Sequence, residues 1–572
     1  MTGMGRAARV MGAATAVSRL LGFGRVLVIA AVLGTTDLGN IFSASNSVSN
    51  VLFDLLAAGA LSAVLVPAFV ELLELRSGPA CDGDGDVDGD GDVGVGGDAS
   101  AERLAGALLG WSLVVLGPIC LAGVLAAPAL ARLLTTGTAD PVVAADQREL
   151  ATFLLRLFIP QVLLYAVGAV TTAVLHAKRH FTVTAVAPIG NTVVMVAALV
   201  AFRVLHGPDE AGFDLGLAEK LALGAAGTVG VAAFVGIPVV ALWRTGFRLR
   251  ITWPRPASVP GLGLGRALRL SGWAGLQHAG TGVLLAAALL VGMGVSGGVV
   301  AYQVAFACFL VPYAVLALPL ITAALPELAG EARRGDLASF GRSLRWALDG
   351  MVGFVVPVSV AGVVFAPRVM EALAFGQTSA GGGRLIGVAL ATLAAGLLPY
   401  GAFLLFVRAH YALGEGRAPA GVALGSAGLG AVLMGVGGAL ADGDAKLAAM
   451  GAGHSVAYLI GAVILGAGLT RRTAQPLAPA RLPRAVALSG ALGCASAAVL
   501  HWADPTTGTA TVGLAAALLL ACAGVYLAAM RPKGPTDPAS AEPEAPRPAM
   551  AAVSSGEDTP GPAGSARGWP LR

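Results

Sequence analysis

Long apolar stretches, broken by short polar connections, recur from Val10 to Ala529. A membrane-crossing helix needs about 20 largely apolar residues, and the stretches of that length fall at 10–33, 42–72, 104–131, 151–175, 182–205, 217–242 and 266–292 in the first half. In the second half they fall at 297–325, 346–366, 385–413, 419–440, 447–469, 484–502 and 508–530. The pattern predicts an all-α polytopic membrane protein of about 14 transmembrane helices. Prolines at 160, 188, 238, 312, 357 and 399 lie within or beside these segments. Neighbouring helices can satisfy the backbone groups that proline frees, so kinked or broken spans are expected.

Composition agrees with the pattern. The 572-residue chain is 56% hydrophobic and 12% charged, with a mean hydropathy of +0.79; soluble domains carry about 25% charged residues. The net charge of +4 is small, but its distribution is informative. With helices alternating across the membrane, Lys178, Arg179, Arg244, Arg248, Arg250, Arg255, Arg333, Arg334, Arg471, Arg472, Arg481 and Arg484 all fall in or beside even-numbered connections. Cytoplasmic loops carry the positive excess, so these loops and both termini are expected to face the cytoplasm. The five cysteines show no paired spacing, and no disulfide, metal site or cofactor is expected.

Two segments break the apolar rhythm. CDGDGDVDGDGDVGVGGD, from Cys81, lies in the second connection. Its alternating aspartates suggest a calcium loop, yet counting from Asp86 the twelfth position is Gly97, where such a loop needs a bidentate glutamate. The segment 78–100 is therefore read as a solvated linker, and the Pro/Ala/Gly/Ser-rich tail 531–572 as a disordered cytoplasmic extension. A weak internal repeat pairs ALSAVLVPAFVEL from Ala60 with PLITAALPELAGE from Pro319, and the region of His180, Phe181 and Pro188 with that of His410, Tyr411 and Pro419. It predicts two six-helix lobes in parallel repeat, 1–242 and 243–470, followed by two further helices in 471–530.

The chemistry concentrates in the first helix. SRLLGFGR from Ser18 places Arg19 and Arg25 in an apolar span, where an arginine costs about 2.5–3.5 kcal/mol to insert. Six residues apart, they differ by about 9 Å of rise and about 120° of rotation, so they could border a wide cavity. A guanidinium stays charged and meets phosphate in a bidentate fork, which suits a pyrophosphate head group. Arg156 is a third candidate cation for that cavity, against the alternative of snorkelling to the interface. Asp54 is the nearest internal carboxylate, either a structural partner or a switch. Asn40, near the start of the second helix, is a further substrate-binding candidate, against the alternative of an amide that satisfies backbone at the interface, and His278 in the seventh is a candidate proton relay or a simply hydrogen-bonded histidine. No GxxxxGK[ST], HExxH or strand-borne GxSxG occurs, so no enzymatic activity is expected.

At these residues the chain resembles the MurJ/MviN family of the multidrug/oligosaccharidyl-lipid/polysaccharide exporter group. The resemblance rests on SRLLGFGR from Ser18, Gly34, AAGALSAVLVPAF from Ala57, RLFIPQVLLYAVGAVTTAVLHAKRHFTVTAVAP from Arg156, and RAHYALGEGRAP from Arg408. It implies a fourteen-helix, two-lobed flippase of the bacterial cytoplasmic membrane. The implied substrate is lipid II, or a similar polyprenyl-pyrophosphate-linked precursor, moved by alternating access for peptidoglycan synthesis. Arg19 and Arg25 take the places of the family's first-helix arginines, and the segment 484–530 is expected to help hold the lipid tail. Departures fall at Asn40 and Ala58, where the family is acidic, at Ala307, where it has an arginine, and at Phe53 and Asp54, which replace an arginine pair. The alternatives are export of another lipid-linked polysaccharide unit, or a non-transporting scaffold for cell-wall synthesis proteins. Membrane lipids and the lipid-linked precursor are the expected partners, and nucleic acid is not.

Overall fold

The computed structural model describes residues 21–53, 97–138, 140–178, 180–207, 213–252, 264–374, 376–378 and 380–530. Every described regular element is a helix. In chain order they are α1 (Leu21–Leu33), α2 (Asp37–Phe53), α3 (Gly97–Leu125), α4 (Ala127–Leu134), α5 (Pro141–Phe158), α6 (Gln161–Ala177), α7 (Phe181–His206), α8 (Leu217–Arg244) and α9 (Leu264–Gly292). The second half continues with α10 (Gly298–Pro312), α11 (Leu318–Arg334), α12 (Leu337–Ala372), α13 (Ala380–Ala395), α14 (Leu397–Ala412), α15 (Arg417–Leu440), α16 (Gly443–Thr473), α17 (Leu482–Ala503) and α18 (Gly508–Met530). Met1–Tyr526 form one compact unit and Leu527–Arg572 a second, and the sites below belong to the first.

Among the described residues, 11 helices are long and apolar enough to cross a membrane, or 12 when the bent pair α13–α14 counts as one span. The expected 14 is not reached there. The first two segments run into residues outside the description, leaving Leu21–Leu33 and Asp37–Phe53 as their described parts. The Asp/Gly segment lies outside the description as far as residue 96; α3 reaches back to Gly97, inside the stretch expected to be linker. The tail 531–572 also lies outside it.

Several spans are composite. Pro160 lacks the N–H that would continue α5, so the chain turns at Ile159–Pro160 and resumes as α6 within one 37-residue span. The break is held by close packing, since a Cβ at Gly123 on α3 would sit 3.0 Å from the Ile159 side chain. Between α10 and α11, Tyr313–Ala317 form a π-helical turn directly after Pro312. The α13–α14 pair bends by 49°.

Two large apolar clusters organise the bundle. One draws mainly on α1–α8, with Phe42, Leu154, Phe158 and Phe202 fully buried; the other draws mainly on α9–α16, around Phe309, Phe340 and Leu344. Leu289, Met293 and Val299 join the first and Ala30 the second, so α1, α9 and α10 connect the halves. The last two helices attach at the edge, where Phe365 of α12 meets Leu500 and Ala515.

Polar side chains then fix which helices meet. Asn40 is fully buried, donating from Nδ2 to the Val295 carbonyl (2.7 Å) and accepting the Val299 N–H at Oδ1 (2.9 Å). One amide thus completes the turn between α9 and α10 from the start of α2. Asn40→Leu keeps the volume but leaves a buried N–H and C=O unpaired, each costing about 1–3 kcal/mol. The purified variant is expected to melt several degrees below the parent. Gln161 ties α2 to α6 and α8 in the same way, accepting from the Ser49 hydroxyl (3.4 Å) and donating to Thr228 (2.9 Å).

Candidate functional site

A cavity of about 400 Å³ lies among α1, α2, α6, α7 and α8. Arg25 projects into it from α1, and Gly22, one turn earlier, removes the side chain that would otherwise stand beside it. The guanidinium is deeply buried, and its Nε–H has no hydrogen-bond partner. Asn46 and Asn50, one turn apart on α2, form the next wall. The Asn50 carbonyl oxygen accepts from the Tyr165 hydroxyl on α6 (2.8 Å), which leaves its amide nitrogen as the free donor end. Opposite them stand Asn191 and Thr192 of α7, which approaches α8 closely because position 230 is glycine: a Cβ there would lie 2.5 Å from Asn191 Oδ1. Asn191 Oδ1 is also buried without a partner. Met195, Val231 and Phe234 supply the apolar remainder, and among the described residues no carboxylate lines the cavity.

Such a wall favours an anion. A buried guanidinium N–H without an acceptor is costly, and a ligand carrying several anionic oxygens would relieve that cost while the amides and hydroxyls orient it. Among the described residues, nothing in the arrangement resembles a nucleophile with its base.

One end of the cavity is shut. The α1–α2 turn sits between the α9–α10 turn and the α12–α13 turn, where the Gln377 N–H donates to the Ala31 carbonyl (2.9 Å) and the Thr378 hydroxyl to the Ala30 carbonyl (3.0 Å). Gly297, at φ +74°, and Gly382 each lie so close to Thr35 that a Cβ at either would overlap it. Gly137 and Gly294 also touch backbone to backbone, a Cβ at 137 falling 3.2 Å from Gly294 Cα. Arg384 pairs with Asp444 at this same end. Arg25 lies eight residues before Leu33, so the cavity begins about 12 Å beneath the seal. The opposite end of the spans carries Lys178, Arg244 and Arg248.

The sequence-derived candidates distribute unevenly over this geometry. Arg25 lines the cavity; Arg19 and Asp54 lie outside the described residues. Arg156 is exposed on α5 and lines a separate groove with Arg132, Arg148, Glu149 and Lys220. Asn40 is committed to the α9–α10 turn. His278 is exposed on α9 and is not part of the cavity wall. Tyr165, Asn191 and Thr192 were not singled out in the sequence. Their signal was present, as amides and hydroxyls inside otherwise apolar spans, but which of them share a cavity depends on packing.

The chain is similar to several known proteins. A family model described as "Lipid II flippase MurJ" matches residues 29–520. A probable lipid II flippase MurJ of Rhizobium tropici is 25% identical over 390 residues, covering 68% of this chain and 67% of that protein. Its counterpart in Rhizobium meliloti is 26% identical over 417 residues, covering 72% of this chain and 70% of that protein. Among solved structures, a lipid II flippase MurJ in an inward closed conformation superposes with TM-score 0.65 at 15% identity, covering 91% of this chain and 99% of that one. An inward-facing multidrug resistance MATE family transporter gives TM-score 0.59 at 14% identity, covering 82% and 98%. These two structures share the fold of the chain.

Proposed function

This chain belongs to the lipid II flippase MurJ family, and on that premise we propose that its Arg25 cavity takes the pyrophosphate head of lipid II from the cytoplasmic leaflet and releases it on the other side. The observation that carries the reading is the buried Arg25 Nε–H without a partner, in a wall whose described residues hold amides and hydroxyls and no carboxylate. A pyrophosphate supplies the acceptors such a wall lacks, and a guanidinium fork matches its oxygens. Translocation breaks no covalent bond, so the residues need only bind in one conformation and release in another.

The direction follows from charge. The basic loops beyond Lys178, Arg244 and Arg471 mark the cytoplasmic end, and both termini belong on that side. The glycine-lined seal then closes the outer end, leaving the cavity reachable from the leaflet where the precursor is made. The polyprenyl tail stays in lipid along α17 and α18, which present exposed apolar side chains at Val486, Val499 and Leu520. Two lobes, 1–242 and 243–470, rocking about α1, α9 and α10 would break the seal and open the outer side.

Growth rescue tests this directly. Expressed in a bacterium depleted of its own lipid II flippase, the full chain is expected to restore growth and normal shape. If it reaches the membrane at normal levels and growth still fails, the assignment of lipid II as substrate falls.

A further inference from the structure

Outside the cavity, the sealed end of the protein carries a groove of about 540 Å³ among α4, α5 and α8. Among the described residues, four cations face a single carboxylate there. Arg148 and Arg156 stand two turns apart on one stripe of α5, Arg132 occupies the last turn of α4, and Lys220 the first turn of α8. Lys220 pairs with Glu149 (2.7 Å), and Arg148 Nε donates to the Thr135 hydroxyl (3.0 Å). Arg132 and Arg156 make no side-chain hydrogen bond or ion pair among the described residues.

Among the described residues, the other cations at this end are matched. Arg384 pairs with Asp444, Lys446 with Asp442 (3.9 Å), and Arg368 donates to the Leu500 carbonyl. The excess of positive charge is thus local to the groove. Pro128, Ala145 and Phe153 line the groove beside these cations, and on the same three helices Leu133, Val142, Leu217 and Leu221 are each at least half exposed, so its surroundings are apolar enough to stand at the level of the acyl chains. The groove shares no lining residue with the Arg25 cavity.

We propose that this groove is a binding site for the head group of an anionic phospholipid in the outer leaflet. The two unpaired guanidinium groups hold the phosphate, Arg148 and Lys220 add field, and the apolar surroundings take the start of the acyl chains. Such a lipid would brace α4 and α5 against α8. The inference does not depend on which head group the Arg25 cavity transports.

Full-length protein in phosphatidylcholine nanodiscs, titrated with phosphatidylglycerol and read by native mass spectrometry, tests the site. The wild type is expected to retain phosphatidylglycerol over phosphatidylcholine. In Arg132→Gln/Arg156→Gln, half-saturation should need about 25-fold more lipid, each basic residue near a membrane surface being worth about fivefold. Glu149→Gln removes the carboxylate that lines the groove and should tighten binding about fivefold. That gain cannot be mimicked by misfolding. Undiminished phosphatidylglycerol retention in the double variant, or equal retention of phosphatidylcholine by the wild type, overturns the proposal. Displacement of the lipid by millimolar inorganic phosphate would assign the groove to a soluble anion and overturn it equally.

Discussion

Arg25→Ala is expected to abolish growth rescue at normal membrane expression, and Arg25→Lys to restore only a fraction of it. A charge-assisted hydrogen bond to phosphate is worth about 1.5–3 kcal/mol, so its loss weakens head-group binding roughly ten- to hundredfold. Lysine keeps the charge but offers a compact point in place of the planar fork, which does not fit two phosphate oxygens at once. Stability provides the control. Because the Arg25 Nε–H is buried without a partner, a nonpolar replacement of similar length removes a destabilising group, and Arg25→Met is expected to melt at or above the parent temperature while failing to transport. Groups kept for function at the expense of stability behave in this way. A structural arginine would behave oppositely, so an Arg25→Met protein that melts several degrees lower yet still supports growth would refute the binding role.

How much of this was legible before folding differs from residue to residue. The spans were legible because lipid imposes a length and an apolarity that nothing else in the chain shares, and Pro160 marked the α5–α6 break because it cannot donate the next helical hydrogen bond. The 49° bend at α13–α14 was less so: it falls at Gly396, while the nearby proline, Pro399, sits inside the following helix. Arg25 was legible from its cost in lipid. The cost of Arg156 looked similar, but sequence does not say which way a helix faces, and the Arg148–Thr152–Arg156 stripe turns away from the cavity. Asn40 shows the limit most clearly. Its partners lie more than 250 positions along the chain, and only the assembled bundle reveals that the amide is used up closing a turn. Asn191 became a cavity residue because Gly230, on the next helix, leaves room for it.

The seal at Thr35 gives the second large expected effect. Gly382 lies in the first turn of α13 at a helical position where alanine or valine is not itself strained, yet a Cβ there would overlap the Thr35 hydroxyl. Gly382→Val therefore leaves its own helix intact and drives α13 away from the α1–α2 turn. Overpacking of this kind costs about 1–3 kcal/mol. If that cost falls only on the closed conformation, the closed-to-open ratio moves by about 5- to 150-fold. Leu33 is the reporter, being 3% exposed at the level of the seal. With the native cysteines replaced by serine, Leu33→Cys should resist a membrane-impermeant maleimide added from outside, and should react once Gly382→Val is introduced. Growth rescue should fall in the same variant, since a cavity that no longer closes outward cannot reload from the cytoplasmic leaflet. Continued protection of Leu33→Cys together with normal growth would mean that the packing absorbs the wedge, and that the contact between Gly382 and Thr35 is not a gate.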